Sequence, residues 1–205
     1  MFTSLSTELL RALRLTLVMA AVLGLLYPLA MTGIAQGAFN HQANGSLVTN
    51  QRGQVIGSEL IGQEFTSPQY FHGRVSATVN ASNPDQDQPY NAENSAGSNL
   101  GPANQELQDR VKKDVEDIRK QNGLAANQPV PVDLVTADFS GLDPDISEQS
   151  ALIQVDRVAQ TRHLDPAKVH ALVEDHVHGR VLGVFGEPYV NVLEVNQALD
   201  HGGAR

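Results

Sequence analysis

No Asp, Glu, Lys, Arg or His occurs between Leu15 and Phe39. A stretch this long without charge has few homes in a folded protein, because a soluble surface does not tolerate so large an apolar patch. Its first half, Leu15 to Leu26, is nearly all Leu, Val, Ala and Met. As an α-helix, Leu15–Phe39 rises about 37 Å, enough to cross a hydrocarbon core of about 30 Å with some tilt. The residues that follow are polar, acidic and numerous enough to build one core of their own.

Arg11 and Arg14 lie just before the stretch, and no Lys or Arg follows it until Arg52. The positive-inside rule therefore places residues 1–14 in the cytoplasm, residues 15–39 across the membrane and residues 40–205 outside. The competing reading is a cleaved signal peptide, with Leu15–Leu26 as its apolar core and Ala35-Gln36-Gly37 as a small-x-small cleavage site. That would release a secreted, soluble periplasmic protein. Tyr27, Pro28, Met31, Ile34 and Phe39 keep the segment apolar well past Leu26, which favours a retained anchor. Pro28 is expected to kink the helix. Gly24, Pro28, Thr32 and Gly33 are the expected contacts for partner helices, since small and hydroxyl-bearing residues let membrane helices approach closely.

Formal net charge is −9. Only Glu8, Arg11 and Arg14 precede the apolar stretch, so 22 acidic and 12 basic side chains follow it, for a net of −10. Phosphate neutralisation needs clustered Lys and Arg, so this balance argues against nucleic acid as a partner. The chain has no Cys, which excludes disulfides, thiol catalysis and thiolate metal sites. It has no Trp, and 5% of its residues are aromatic, too few for a stacking platform.

The patterning beyond residue 40 is mixed α+β, without a recurring βαβ unit or an internal repeat. Gln54–Ile61 reads as a strand and Gly62–Pro68 as a loop. Residues 76–104 read as a long, solvated polar loop. Pro102 is expected to open an amphipathic helix with Leu107, Val111, Val115 and Ile118 on one face and Gly123 beyond its end. The alternation of Val130, Val132 and Leu134 predicts a strand through Thr136, with Pro131 marking it as an edge or as the strand's start. Ser147 is the expected N-cap of a helix running to about Arg162. Asp165-Pro166 starts a second helix, with Val169, Leu172, Val173 and Val177 facing inward and Gly179 ending it. Val181–Val195 is apolar and glycine-broken, and reads as a strand or turn before a short terminal element.

No catalytic constellation emerges. Asp138, Asp143 and Asp145 lack the spacing and the closing Glu of an EF-hand, so capping explains them better than Ca²⁺. His170, His176 and His178 do not form an i, i+4 pair and read as surface residues. There is no P-loop and no G-x-S-x-G. Gly97–Pro102 before a helix is better explained as a structural cap than as an anion site, because Pro removes one donor.

Ordered motifs across the chain nevertheless point to one family. They include Tyr27-Pro28-Leu29 with Thr32-Gly33, Ala43-Asn44-Gly45-Ser46-Leu47, Gly57-Ser58 with Leu60-Ile61-Gly62-Gln63 and Phe65, and Tyr70-Phe71-His72-Gly73-Arg74. Tyr90-Asn91, Gly97-Ser98-Asn99-Leu100, Val132 with Leu134-Val135-Thr136-Ala137, and Ser140-Gly141-Leu142-Asp143 continue the series. Ile146-Ser147, Arg157-Val158-Ala159, Val190-Asn191-Val192 and Glu194 with Asn196, Leu199 and Asp200 complete it. The set resembles the C subunit of the Kdp potassium-transporting P-type ATPase, the KdpC family. Val75 departs from the proline usual there, and Asp138-Phe139 replaces small residues.

The resemblance implies a noncatalytic subunit of the bacterial inner membrane. Three partner chains come with it: a channel-like, potassium-binding one, the P-type ATPase itself and a small hydrophobic one. It implies a retained helix, with the large domain in the periplasm. It also implies a catalytic-chaperone role that raises the ATP affinity of the P-type ATPase chain. ATP is the one cofactor this brings in, and Gln154 is the position matching a suggested nucleotide contact. The charge asymmetry stands against direct contact, because it puts Gln154 across the membrane from cytoplasmic ATP. Stabilising the assembly and shaping the potassium entrance is the role the residues favour for the outer domain.

Overall fold

The structure, a computed structural model, describes residues 2–202. It divides into two compact units, Met1–Leu47 and Val48–Arg205. In the first, α1 (Phe2–Ala21) continues through a π-helical turn (Val22–Leu26) into α2 (Tyr27–Ala38), and a short α3 (Asn40–Ala43) follows. The 34-residue stretch Leu5–Ala38 is long and apolar enough to cross a membrane. Helical structure thus begins before Leu15 and carries Arg11, paired with Glu8 one turn earlier at 2.7 Å. The π turn accounts for Pro28. Proline has no N–H for the carbonyl four residues back and its ring crowds that carbonyl. Tyr27 N–H instead bonds Val22 O, five residues back, which widens the helix just ahead of the ring.

The second unit is α+β. The small hairpin of β1 (Leu47–Thr49) and β2 (Val55–Ser58) turns on Asn50, whose Oδ1 accepts from Arg52 N and Gln54 N. A three-stranded antiparallel sheet runs β3 (Asp145–Ile146), β5 (Tyr189–Asn191), β4 (Val177–His178), with Ile146 opposite Val190 and Val190 opposite Val177. Helices α5 (Glu148–Leu152), α6 (Val155–Arg162), α7 (Pro166–Asp175) and α8 (Val192–Asp200) supply most of the core. Val158, Val169, Val173, Val190 and Val195 are fully buried there around Phe71.

Several boundaries differ from the sequence expectation, each for a local reason. The helix α4 (Gln105–Gln121) is opened by Asn104, whose side chain accepts from Glu106 N and Leu107 N, and not by Pro102, which lies in the preceding turn. Its far end is as expected: Gly123 takes φ +64° and Leu124 N–H reaches back to Arg119 O. Residues 130–136 are not a strand. Val132–Leu134 is a 3₁₀ turn that Pro131 starts and the Thr136 hydroxyl closes on Val132 O. The expected helix from Ser147 to Arg162 is two, broken at Ile153-Gln154. Ser147 does cap the first, accepting from Ser150 N. α7 ends at Asp175 rather than Gly179, and Val177 belongs to β4. The Gln54–Ile61 strand shrinks to Val55–Ser58, because Ile61 N turns back to Ser58 O.

The segment 76–104 is not simply solvated. Thr78 and Asn91 are buried within it. Thr78 Oγ1 accepts from Asn91 N and donates to Gln88 O, closing the loop on itself. Ser76 Oγ accepts from Tyr90 N and donates to Gly141 O.

Candidate functional site

Tyr70-Phe71-His72-Gly73-Arg74 has no regular secondary structure, yet Phe71 is fully buried in the core and its neighbours are half-buried. A buried chain without a sheet must still satisfy its N–H and C=O groups. Two carboxamides do so. Asn196 of α8 accepts from Phe71 N at 2.8 Å and donates to Phe71 O at 2.9 Å. Gln154, at the break between α5 and α6, accepts from His72 N at 2.8 Å and donates to His72 O at 3.1 Å. Each side chain thus imitates a neighbouring strand for one residue. Arg157 adds bonds to Pro68 O and Tyr70 O, and Arg162 to Gln69 O. Tyr70 donates its hydroxyl to Asp200, which also pairs with Arg162.

Beyond the clamp, Arg74 pairs with Asp143 at 2.7 Å, and Tyr90 donates its hydroxyl to Arg74 O. A Cβ at Gly62 would collide with the Tyr90 ring and the Asp143 carbonyl, and one at Gly73 with the Tyr90 hydroxyl, so Tyr90 packs directly on both glycines. Burial raises the Tyr90 phenol well above its usual value, keeping it a neutral donor. Burial also lowers Arg157, to about 10, which leaves it charged at neutral pH. His72 is lowered by burial and then by Arg157, so its neutral form dominates near pH 7.

A cavity of about 210 Å³ opens beside this segment, lined by His72, Asp114, Asp117, Asn122, Leu134 and Gln154. Small-molecule sites usually enclose about 300–1,000 Å³. Among the described residues no Lys or Arg lines this one, and two aspartates do. It is a poor place for a polyphosphate.

Gln154 therefore lies at the cavity wall, 2% exposed, with its amide fully used. Its Oε1 also accepts from Arg157, and its Nε2 also donates to Ser150 O. Gly24, Pro28, Thr32 and Gly33 are exposed on the long helix, and a Cβ built on Gly24 or Gly33 would meet nothing within 4 Å. Asp138 accepts from Ser140 Oγ, Gly141 N and Asp143 N, while Asp145 accepts from Asn191 Nδ2. His178 Nε2 lies 2.8 Å from Glu194 and His176 Nδ1 2.7 Å from Leu172 O. Among the described residues, no group of three or more such side chains is disposed to hold a metal. Periodicity gave no hint of the carboxamide clamp. The motif matches at Tyr70–Arg74, Arg157 and Asn196 were its only trace.

One candidate membrane-spanning helix joined to a mixed α/β domain, with motif residues holding that domain together, defines a membrane-associated protein of modular build. Residues 9–201 match the family described as KdpC: K⁺-transporting ATPase, c chain. The chain belongs to this family, the KdpC subunit of the K⁺-transporting ATPase. It is 54% identical over 198 residues to the potassium-transporting ATPase KdpC subunit of Bradyrhizobium diazoefficiens, covering 95% of this chain and 96% of that one. It is 55% identical over 193 residues to the KdpC subunit of Rhodopseudomonas palustris strain BisB18, covering 92% and 95%. The KdpC subunit of Paraburkholderia phytofirmans is 51% identical over 183 residues, covering 89% and 91%.

Proposed function

We propose that this chain is a noncatalytic, single-span subunit of a P-type potassium-uptake ATPase in the bacterial inner membrane. The family match across both the long helix and the outer domain carries the reading. Residues 1–14 are cytoplasmic, residues 15–39 span the membrane and residues 40–205 are periplasmic, as Arg11 and Arg14 favour. The partners are a channel-like chain that binds potassium, the P-type ATPase chain that hydrolyses ATP, and a small hydrophobic chain. Gly24, Pro28, Thr32 and Gly33 form the helix face that meets them.

The outer domain stabilises the assembly and shapes the potassium entrance. Its charge of −10 raises local K⁺ only within about 8 Å, the Debye length at physiological ionic strength. A catalytic-chaperone effect on the ATP affinity of the ATPase chain acts through the membrane helix, by contacts that differ between two pump states. The saturated amide of Gln154 supports a structural role over nucleotide contact, because a nucleotide would have to displace bonds that hold His72.

Purification of the tagged chain from its native membrane in mild detergent tests the reading. A P-type ATPase and a channel-like protein should co-purify, and K⁺-stimulated ATP hydrolysis should disappear when this chain is deleted. A truncated, partner-free product would replace it with the secreted-protein reading. Micromolar ATP binding by this chain alone, abolished in Gln154→Ala, would overturn the structural role of Gln154.

A further inference from the structure

The turn joining β4 to β5 inverts the usual loop composition. Val181, Leu182, Val184 and Phe185 are each at least 65% exposed, and Leu182 reaches 86%. Their backbone is fixed. Val181 and Phe185 exchange N–H···O bonds of 2.9 and 3.0 Å, Gly183 N bonds Arg180 O and Val184 N bonds Val181 O. Leu182 sits at φ +54°, a left-handed conformation that leucine adopts only at a cost. Arg180 and Glu187 pair across the neck, and the His178 and Tyr189 rings stack below it at 4.8 Å. The result is a hydrogen-bonded apolar knob with a polar collar.

Three occupants compete for such a knob. A second copy of the chain is excluded as a stable partner by size, since four side chains fall far short of the roughly 1,200–2,000 Å² of a lasting interface. The true partner must already be held nearby. A bilayer surface fits poorly. Lipid-inserting elements set Trp, Phe or Leu beside a face rich in free Lys and Arg, and the knob has Leu182 and Phe185 but no such face. This chain has no Trp, the knob's cation is paired with Glu187, and the net charge of −10 after residue 14 opposes anionic headgroups. A fluid bilayer also gains nothing from a strained, fixed backbone, whereas a shaped pocket does.

We infer that the 181–185 hairpin docks into an apolar pocket, rimmed by neutral or basic groups, on another chain of the K⁺-transporting complex. The contact is small because the membrane helix supplies the local concentration. The rim complements the acidity of this domain. The inference rests on the pump-subunit reading and assigns the surface by which the outer domain joins the pump.

Leu182→Gly keeps the turn, because glycine accepts a positive φ, and removes the knob's apex. In the full-length chain co-expressed with the rest of the complex, Leu182→Gly with Phe185→Ser should retain at least tenfold less of the other chains in mild detergent. K⁺-stimulated ATPase activity should fall in parallel, while thermal unfolding of the variant chain matches the wild type. Full retention of partners by the double variant overturns the knob and leaves the pump reading intact. If the wild-type chain itself retains none, the pump reading falls and takes the inference with it. The absence of cysteine allows a polarity-sensitive dye to be placed uniquely at the neck through Gly179→Cys, where a Cβ meets nothing within 4 Å. Its emission should shift to the blue on assembly and resist quenching by brominated phospholipid. Quenching would put the hairpin in the bilayer and overturn the pocket.

Discussion

Tyr70–Arg74 and Val181–Phe185 are both irregular, both contain a glycine, and both lie in the α+β unit. Their environments are opposite. The first is a backbone that carries Phe71 into the core, held by polar side chains from α6 and α8 and from the break before α6. The second is a set of apolar side chains outside the core, held by its own backbone bonds. Polar groups are turned inward at one and apolar groups outward at the other. The folding energy of the domain therefore leans on the first loop and is nearly indifferent to the second, which is free to meet a partner.

The largest effect expected from breaking this comparison is at Phe71. Its ring is fully buried at the centre of the cluster. Phe71→Ala should cost about 3–5 kcal/mol of domain stability, read from the urea midpoint at constant slope. Next come the carboxamides. Asn196→Leu keeps the branched outline of the side chain and strands both polar groups of Phe71, for a loss of about 2–4 kcal/mol. Gln154→Leu should cost a similar amount by stranding those of His72. A neutral result at Asn196 would mean that water or a shifted chain can replace the clamp, and the contrast between the loops would collapse.

That clamp was hidden in the sequence for a physical reason. Patterning rules see burial through apolar periodicity, and a loop held by Asn196, Gln154 and Arg157 has none. The rules worked where packing and local chemistry agree. The uncharged stretch, the Ser147 and Asp165 caps, Gly123 and the faces of α4 and α7 were all legible. They failed where tertiary bonds overrode local pattern. Alternation at 130–136 looked like a strand, but Pro131 and the Thr136 hydroxyl turn it into a 3₁₀ turn, with Asp133 committed to Ser147 and Ser150. Val181–Phe185 lies in the stretch read as a strand or turn and is a turn; that its four apolar side chains are exposed carried no signal in the pattern. Of the expected site residues, Gln154 stood out only through family resemblance, and its amide is turned toward His72.

A smaller effect, of opposite sign, is expected at Asp145, on the strand beside the one that leads out of the hairpin. Its carboxyl is pushed up from 3.8 to about 6, first by burial and then by Asp143. The folded state thus holds this proton more tightly than the unfolded chain. Stability falls as pH rises from about 4 to about 6, and above that the penalty is fully present. Asp145→Asn keeps an acceptor for Asn191 Nδ2 and removes the charge. It should flatten that pH slope and raise stability at pH 7 by on the order of 1 kcal/mol, a figure discounted for its partial exposure. A slope unchanged in urea titrations across that window would assign the pH dependence to another group.

The smallest effect on folding sharpens the comparison most. The left-handed backbone at Leu182 costs roughly 1–2 kcal/mol, and a glycine there would carry no such strain. Glycine instead loses about 0.5–1 kcal/mol more entropy on ordering. Leu182 buries almost nothing, so little packing is lost. The two backbone terms nearly cancel. Leu182→Gly should change the unfolding free energy by less than about 1 kcal/mol, with the sign toward greater stability. The same Leu→Gly change at a buried site such as Leu172, in mid-α7, should cost several kcal/mol. If Leu182→Gly instead unfolded the domain, the hairpin would be a structural element in its own right. The strain at Leu182 would then be offset within this chain rather than by a partner.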